Sequence, residues 1–139
     1  MTKYEALQSL DQRAASKLSL ALIDMENQKI PYFISEARRT LLTQCLYALQ
    51  GRLGGDISQA ELEWACKEAG IRPPGAQRIT WTLKSNHLSG LAVDIVPLID
   101  GKPDWGNQDM RIVEIMKKYG FTWGGDWEKP DKPHFELRV

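Results

Sequence analysis

The chain has 139 residues, with 18 basic and 18 acidic side chains and no formal net charge. That length suits one domain with a real core and excludes a catalytic domain plus a separate binding module. The balanced charge excludes the basic field of a general nucleic-acid binder, and 42% hydrophobic residues exclude a disordered chain.

Thr2 and Glu5 make a T-x-x-E capping box ahead of Leu7, Leu10, Ala14, Leu18, Ala21 and Met25. Their spacing of three and four predicts one helix running to Asn27, with its apolar stripe on the core. The charged residues Lys3, Glu5, Asp11, Arg13 and Lys17 deny this stretch the apolar centre of a secretory signal. No apolar run is long enough to span a bilayer, so membrane insertion is not expected. Ile30 to Ser35 reads as a strand, and Thr40 to Gln50 as a helix stopped by Gly51. Ser58 and Glu61 cap a short helix ending at Gly70, and Arg72-Pro73-Pro74-Gly75 is a stiff connector. Cys45 and Cys66 have no metal-type spacing and read as two buried thiols, with a disulfide between them left open.

Ile79 to Leu83 and Leu91 to Val96 read as strands around the loop Lys84 to Gly90. Asp100 to Pro103 is a turn. Ile112, Ile115, Met116 and Tyr119 mark one face of a helix closed by Gly120. Phe121 to Trp123 and His134 to Leu137 close the chain as strands. Helices first and strands later predict an α+β fold with a small antiparallel sheet.

The chain has two histidines, and both fall in loops shaped by Gly or Pro. His87 precedes Gly90, whose freedom allows a tight reversal or a close backbone approach, and Asp94 lies in the strand that follows. Asp94 is flanked by Ala92, Val93, Ile95 and Val96, where an unpaired carboxylate is costly and a metal ion removes the cost. Pro130 and Pro133 exclude a helix around Asp131 and His134, which therefore sit on a turn entering the last strand. Should that strand pair near Asp94, the chain supplies His87, Asp94 and His134 as three zinc ligands. Three protein ligands with a fourth position open is the arrangement of a catalytic site. The bland reading of each residue alone is a surface histidine and an internally hydrogen-bonded aspartate.

S-x-H-x-x-G-x-A-x-D (Ser85 to Asp94), W-G-G-D-W (Trp123 to Trp127) and D-x-P-H-F-E (Asp131 to Glu136) together resemble the zinc D-Ala-D-Ala carboxypeptidase and L-alanyl-D-glutamate endopeptidase family. Within it the likeness is greatest to bacteriophage endolysins, and it covers roughly residues 30 to 139. The resemblance implies a hedgehog-type α+β fold and one zinc peptidase domain over residues 1–139, with no wall-binding domain. It implies one Zn2+ held by His87, Asp94 and His134, and Asp131 as catalytic base. It also implies an oxyanion arginine, usually in Gly-x-Arg-Ser/Thr. Register on Thr40 and Gln44 selects Arg39, although alanine replaces the usual glycine and Arg38 is its rival. The helix over Ser58 to Gly75 departs from the family's shorter connector, and the first helix matches nothing in it.

Peptide hydrolysis needs an activated water, a polarised carbonyl and a proton for the leaving amine. Zinc lowers the pKa of water from about 15.7 to about 7. Asp131 then moves the proton to the departing nitrogen, and Arg39 bonds the oxyanion. Ser85 and Trp127 are the expected substrate contacts, with a loop hydroxyl and a core aromatic as their bland alternatives. Trp81 and Trp123 read as cleft or core, Asp126 as a turn carboxylate, and Glu136 as either a partner of a ligand histidine or a solvent-facing residue. Arg78, Lys84 and Arg38 are unranked readers of a substrate carboxylate. The expected activity is cleavage of the L-Ala–D-Glu bond of the peptidoglycan stem peptide. The rivals are a D-Ala-D-Ala carboxypeptidase or dipeptidase, and a zinc-stabilised binding module without catalysis. The resemblance further implies a protein made in the host cytoplasm that reaches the wall through a holin-opened membrane. Zero net charge predicts a monomer with modest wall affinity.

Overall fold

The computed structural model describes residues 1–38, 59–72 and 89–138. Its contacts group the chain into two compact units, one joining Met1–Arg38 to Ser89–Val139 and the other spanning Arg39–Leu88. Of the second unit, the described part is a helix, α3 (Gln59–Glu68), which buries Leu62 and Cys66 along one side. Cys66 is a free buried thiol, and burial pushes its pKa up. The expected helix over Thr40 to Gln50, the strand over Ile79 to Leu83, and Cys45 lie outside the described residues.

The first unit opens with two helices where the apolar stripe predicts one. These are α1 (Lys3–Ser9) and α2 (Gln12–Asn27). Thr2 caps α1 through the Glu5 N–H, as the capping box predicts. The chain then extends at Leu10, and Asp11 restarts the helix by accepting from the Arg13 N–H. Asp11 cannot be part of a continuous helix because its own N–H donates to the Gly90 carbonyl at 3.0 Å. Gly90 sits at φ +75°, and a Cβ there would lie 2.6 Å from that same nitrogen. Glycine is therefore required twice over, by conformation and by the close approach.

Strand β1 (Tyr32–Glu36) pairs antiparallel with β2 (Ala92–Ile99), which runs three residues past its predicted end. The predicted turn at Asp100 reverses β2 into the two-residue β3 (Lys102–Pro103). Helix α4 (Met110–Lys118) follows, capped by Asp109, whose carboxyl the Arg111 guanidinium holds below the usual range. Strands β4 (Phe121–Trp123) and β5 (His134–Leu137) match their predicted bounds. They complete an antiparallel sheet in the order β1-β2-β5-β4, with β3 on the end of β2.

The two faces of this sheet differ in chemistry. Val93, Ile95, Phe135, Leu137, Ile34 and Phe121 join one core with Leu18, Leu22 and Met25 of α2 and Ile112, Val113 and Met116 of α4. The alternate residues Ala92, Asp94 and Val96 of β2, and His134 and Glu136 of β5, point to the other face. Period-two alternation thus builds the core and the candidate site from the same two strands. Among the described residues, no helix is long and apolar enough to cross a membrane.

Candidate metal centre

Antiparallel pairing of β2 with β5 sets Asp94 directly opposite His134, Ala92 opposite Glu136, and Val93 opposite Phe135. The pairing that the three-ligand arrangement requires is therefore present. His134 Nδ1 stands 3.3 Å from Asp94 Oδ1, with the histidine side chain 8% and the aspartate 20% exposed. The other ring nitrogen, Nε2, lies 3.2 Å from Glu136 Oε1. Glu136 is buried, which removes its solvent-facing reading and leaves it as the partner of His134. Trp127 covers the imidazole, with ring centroids 4.9 Å apart at 48°.

These contacts test the fit to a metal. A neutral histidine that donates its Nε2 proton to Glu136 turns the Nδ1 lone pair toward the Asp94 oxygen. An imidazole nitrogen and a carboxylate oxygen then stand 3.3 Å apart, the kind of donor set that a zinc ion takes. Zinc takes nitrogen and oxygen donors at about 2.0–2.1 Å in a tetrahedron, so neighbouring donors stand about 3.3 Å apart. The observed separation is that edge length, and the residues present fit the ion. Among the described residues, no group of three or more His, Cys, Asp or Glu forms a metal cluster. The expected third ligand, His87, lies outside the described residues, as do Ser85, Arg39, Trp81, Arg78 and Lys84.

Asp131 is exposed on the turn that leads into β5. Its N–H donates to the Gly124 carbonyl at 2.9 Å, and its carbonyl accepts from the His134 N–H at 3.2 Å. Gly124 packs so closely that a Cβ there would collide with the Asp131 carbonyl and lie 3.0 Å from the His134 Cβ. The W-G-G-D-W segment is thus a clamp for the Asp131 turn as well as a source of Trp127. Trp123 is neither a simple core residue nor a cleft wall: its ring packs against the core while its Nε1 donates to the Lys132 carbonyl at 2.8 Å. Asp126 pairs with Lys117 at 2.7 Å on the surface, which fits its expected role as a turn residue.

Two residues of this region escape the sequence reading. Glu36 faces Asp94 across β1 and β2 because a bulge between Ile34 and Glu36 inserts Ser35 and re-aims the strand. The bulge leaves no mark in the alternation of so short a strand. Gln108 donates from Nε2 to the Ile95 carbonyl at 2.8 Å and to the Lys132 carbonyl at 2.9 Å. Its signal is its partners' geometry, which no local spacing carries. Arg38, the rival oxyanion residue, is exposed at the end of the described segment.

Known proteins resemble this chain in sequence and in fold. Residues 78–137 match the model of a family described as D-alanyl-D-alanine carboxypeptidase. The resemblance to this peptidase family is borne out. The peptidoglycan L-alanyl-D-glutamate endopeptidase CwlK of Bacillus subtilis is 41% identical over 66 residues, covering 39% of this chain and 40% of that protein. An L-alanyl-D-glutamate peptidase of Listeria phage A118 is 38% identical over 61 residues, covering 40% of this chain and 22% of that protein. The chain therefore spans less than half the length of these curated relatives. Among solved structures, the L-Ala D-Glu endopeptidase ChiX of Serratia marcescens superposes with a TM-score of 0.57 at 24% identity, covering 98% of this chain and 86% of that one. VanYB, solved in complex with D-alanine-D-alanine, superposes with a TM-score of 0.52 at 16% identity, covering 92% of this chain and 71% of that one. At these identities the likeness establishes the fold, a small antiparallel sheet with helices packed against it.

Proposed function

We propose that the chain is a zinc-dependent peptidoglycan endopeptidase of the endolysin type, acting as one peptidase domain on the L-Ala–D-Glu bond of the stem peptide. The observation that carries this reading is the Asp94–His134 pair, spaced as zinc ligands are and lying within the segment matched to the peptidase family. The endopeptidase relatives and the phage source of one of them support the choice of bond and the lytic setting.

His87, Asp94 and His134 hold the ion. Zinc bound there supplies an acidified water and a Lewis acid for the scissile carbonyl. Glu136 accepts the Nε2 proton of His134, which fixes the tautomer and leaves Nδ1 as the donor. Asp131 takes a proton from the attacking water and returns it to the leaving nitrogen, from a turn that ends three residues later in His134. Its exposure suits this work, because the carboxylate must reach substrate while the ligand pair stays shielded. Arg39 hydrogen-bonds the developing oxyanion. Trp127 and Ser85 contact the stem peptide, the first from its place over the His134 ring. The protein acts as a monomer, collects in the host cytoplasm and meets the wall after holin-type release.

The test is mass spectrometry of products from purified peptidoglycan, with Asp131→Ala protein as control. New N-terminal D-Glu ends, with L-Ala retained on the glycan side, establish the enzyme and its bond together. Release of D-Ala alone moves the assignment to a carboxypeptidase, the reading favoured by the description of the matched family. Absence of products from zinc-loaded wild type leaves a zinc-stabilised binding module.

A further inference from the structure

The last pair of the β2–β5 ladder is Asp94 opposite His134. Beyond it the strands diverge, and the Ile95 N–H makes one more bond, to the Pro133 carbonyl at 2.9 Å. The Ile95 carbonyl is taken instead by the side chain of Gln108, which reaches in from the residue before the cap of α4. The same Nε2 donates to the Lys132 carbonyl, so one amide group ties the residue after Asp94 to the residue after Asp131. Its orientation is fixed from behind, because Oε1 accepts the Asp109 N–H at 3.0 Å. That bond makes the oxygen the far end and leaves both amide hydrogens for the two carbonyls. Besides the Ile95–Pro133 bond, further ties hold the turn to other segments. Trp123 Nε1 and the Gly124 carbonyl hold it to the β4 segment, and Lys132 Nζ donates to the Gly106 carbonyl at 3.1 Å. The Gln108 side chain thus bonds both the β2 backbone and this turn.

We propose that Gln108 is a positioning residue that sets the separation between Asp94 and the Asp131–His134 turn. The inference rests on the proposed assignment of Asp94, Asp131 and His134 to the site. The bonds of the Gln108 amide all go to main-chain groups. Gln108 acts through two main-chain carbonyls, where a misplacement of under an ångström in one ligand relative to another weakens the whole set.

Two variants test it. Gln108→Glu keeps the shape and the acceptor for Asp109 but loses the amide hydrogens, and Gln108→Met keeps the length and loses all polar contacts. In the metal-free protein, amide exchange at Asp131, His134 and Ile95 is expected to rise about tenfold, with the α2 and β4 amides unchanged. Zinc affinity, read by competition with a chromophoric chelator, is expected to fall by about 10- to 100-fold, the range found for residues that orient metal ligands. On peptidoglycan fragments, kcat falls while KM holds. Folded variants with zinc affinity within twofold of wild type, or with unchanged exchange at those amides, overturn the proposal. So does failure of both variants to fold, which makes the tie a plain structural one. Absence of zinc uptake by wild type sinks the peptidase reading, and the amide arm still judges the tie.

Discussion

Residues 134 to 137 of β5 are buried one after another, yet alternate members do opposite work. Phe135 and Leu137 join the core against α2 and α4, where nothing but shape and dryness is asked of them. His134 and Glu136, on the other face, form a hydrogen-bonded pair that extends through Nδ1 to Asp94. The two faces share one backbone, one ladder and nearly the same burial. Burial therefore does not distinguish a core residue from a site residue here. The distinguishing property is the chemistry of the buried atoms: carbon on one face, and nitrogen and oxygen brought together around His134 on the other.

That contrast can be broken first by Asp94→Ala or His134→Ala. Each is expected to abolish zinc uptake and lower kcat/KM by more than about 10^3-fold, a loss on the scale of several kcal/mol of transition-state stabilisation. Metal analysis and turnover of purified peptidoglycan check this, and circular dichroism should show the fold retained. Phe135→Ala, one residue from His134, should do the reverse. Truncating a fully buried phenylalanine costs about 3–5 kcal/mol of stability, measured by urea unfolding, and zinc affinity per folded molecule should hold. Gly124→Ala is expected to blur the two readouts. Its methyl group has to displace the Asp131 turn, with an overpacking cost of about 1–3 kcal/mol and a loss of activity together.

Glu136→Gln sharpens the comparison, since the amide can still contact His134 while losing the carboxylate charge. Zinc affinity should fall by about tenfold with little change in unfolding midpoint. The smallest effect is expected far from the site. Asp24 of α2 accepts from Gln28, from Lys118 and from the Tyr119 hydroxyl, and these bonds hold its carboxyl below the usual range. The stability it contributes is present above about pH 4, the unfolded carboxylate value, and is lost as pH falls through the depressed folded one. Asp24→Asn should flatten the acid limb of the unfolding profile slightly and leave activity untouched.

Much of this organisation is legible in the amino-acid sequence. The lone carboxylate in LAVDIV and the placing of Glu136 between Phe135 and Leu137 mark both strands, and the positions of His134 and Asp131 around Pro133 give the turn before the second. What stays hidden has a physical cause each time. The helix break at Leu10 is masked by an apolar stripe that runs on through it, and its reason is a bond to Gly90 about eighty residues away. The bulge at Ser35 reverses which β1 residue faces Asp94, and a five-residue strand offers too few positions to betray it. Gln108 is a polar residue in a polar stretch, and only the three-dimensional meeting of Ile95 and Lys132 gives it a task.

The Asp11–Gly90 bond also bears on how this molecule can be cut and spliced. The segment that matches the peptidase family starts at residue 78, which makes 78–137 an inviting cassette for grafting onto other carriers. Excised there, β2 loses its neighbour β1, the sheet loses the α2 side of its core, and Gly90 loses the main chain that its bare Cα was shaped to meet. A transplant that works has to bring the first 38 residues with it. In a chimera, linkers belong outside both segments, and the seam between donor and host is safest where no backbone bond such as this one crosses it.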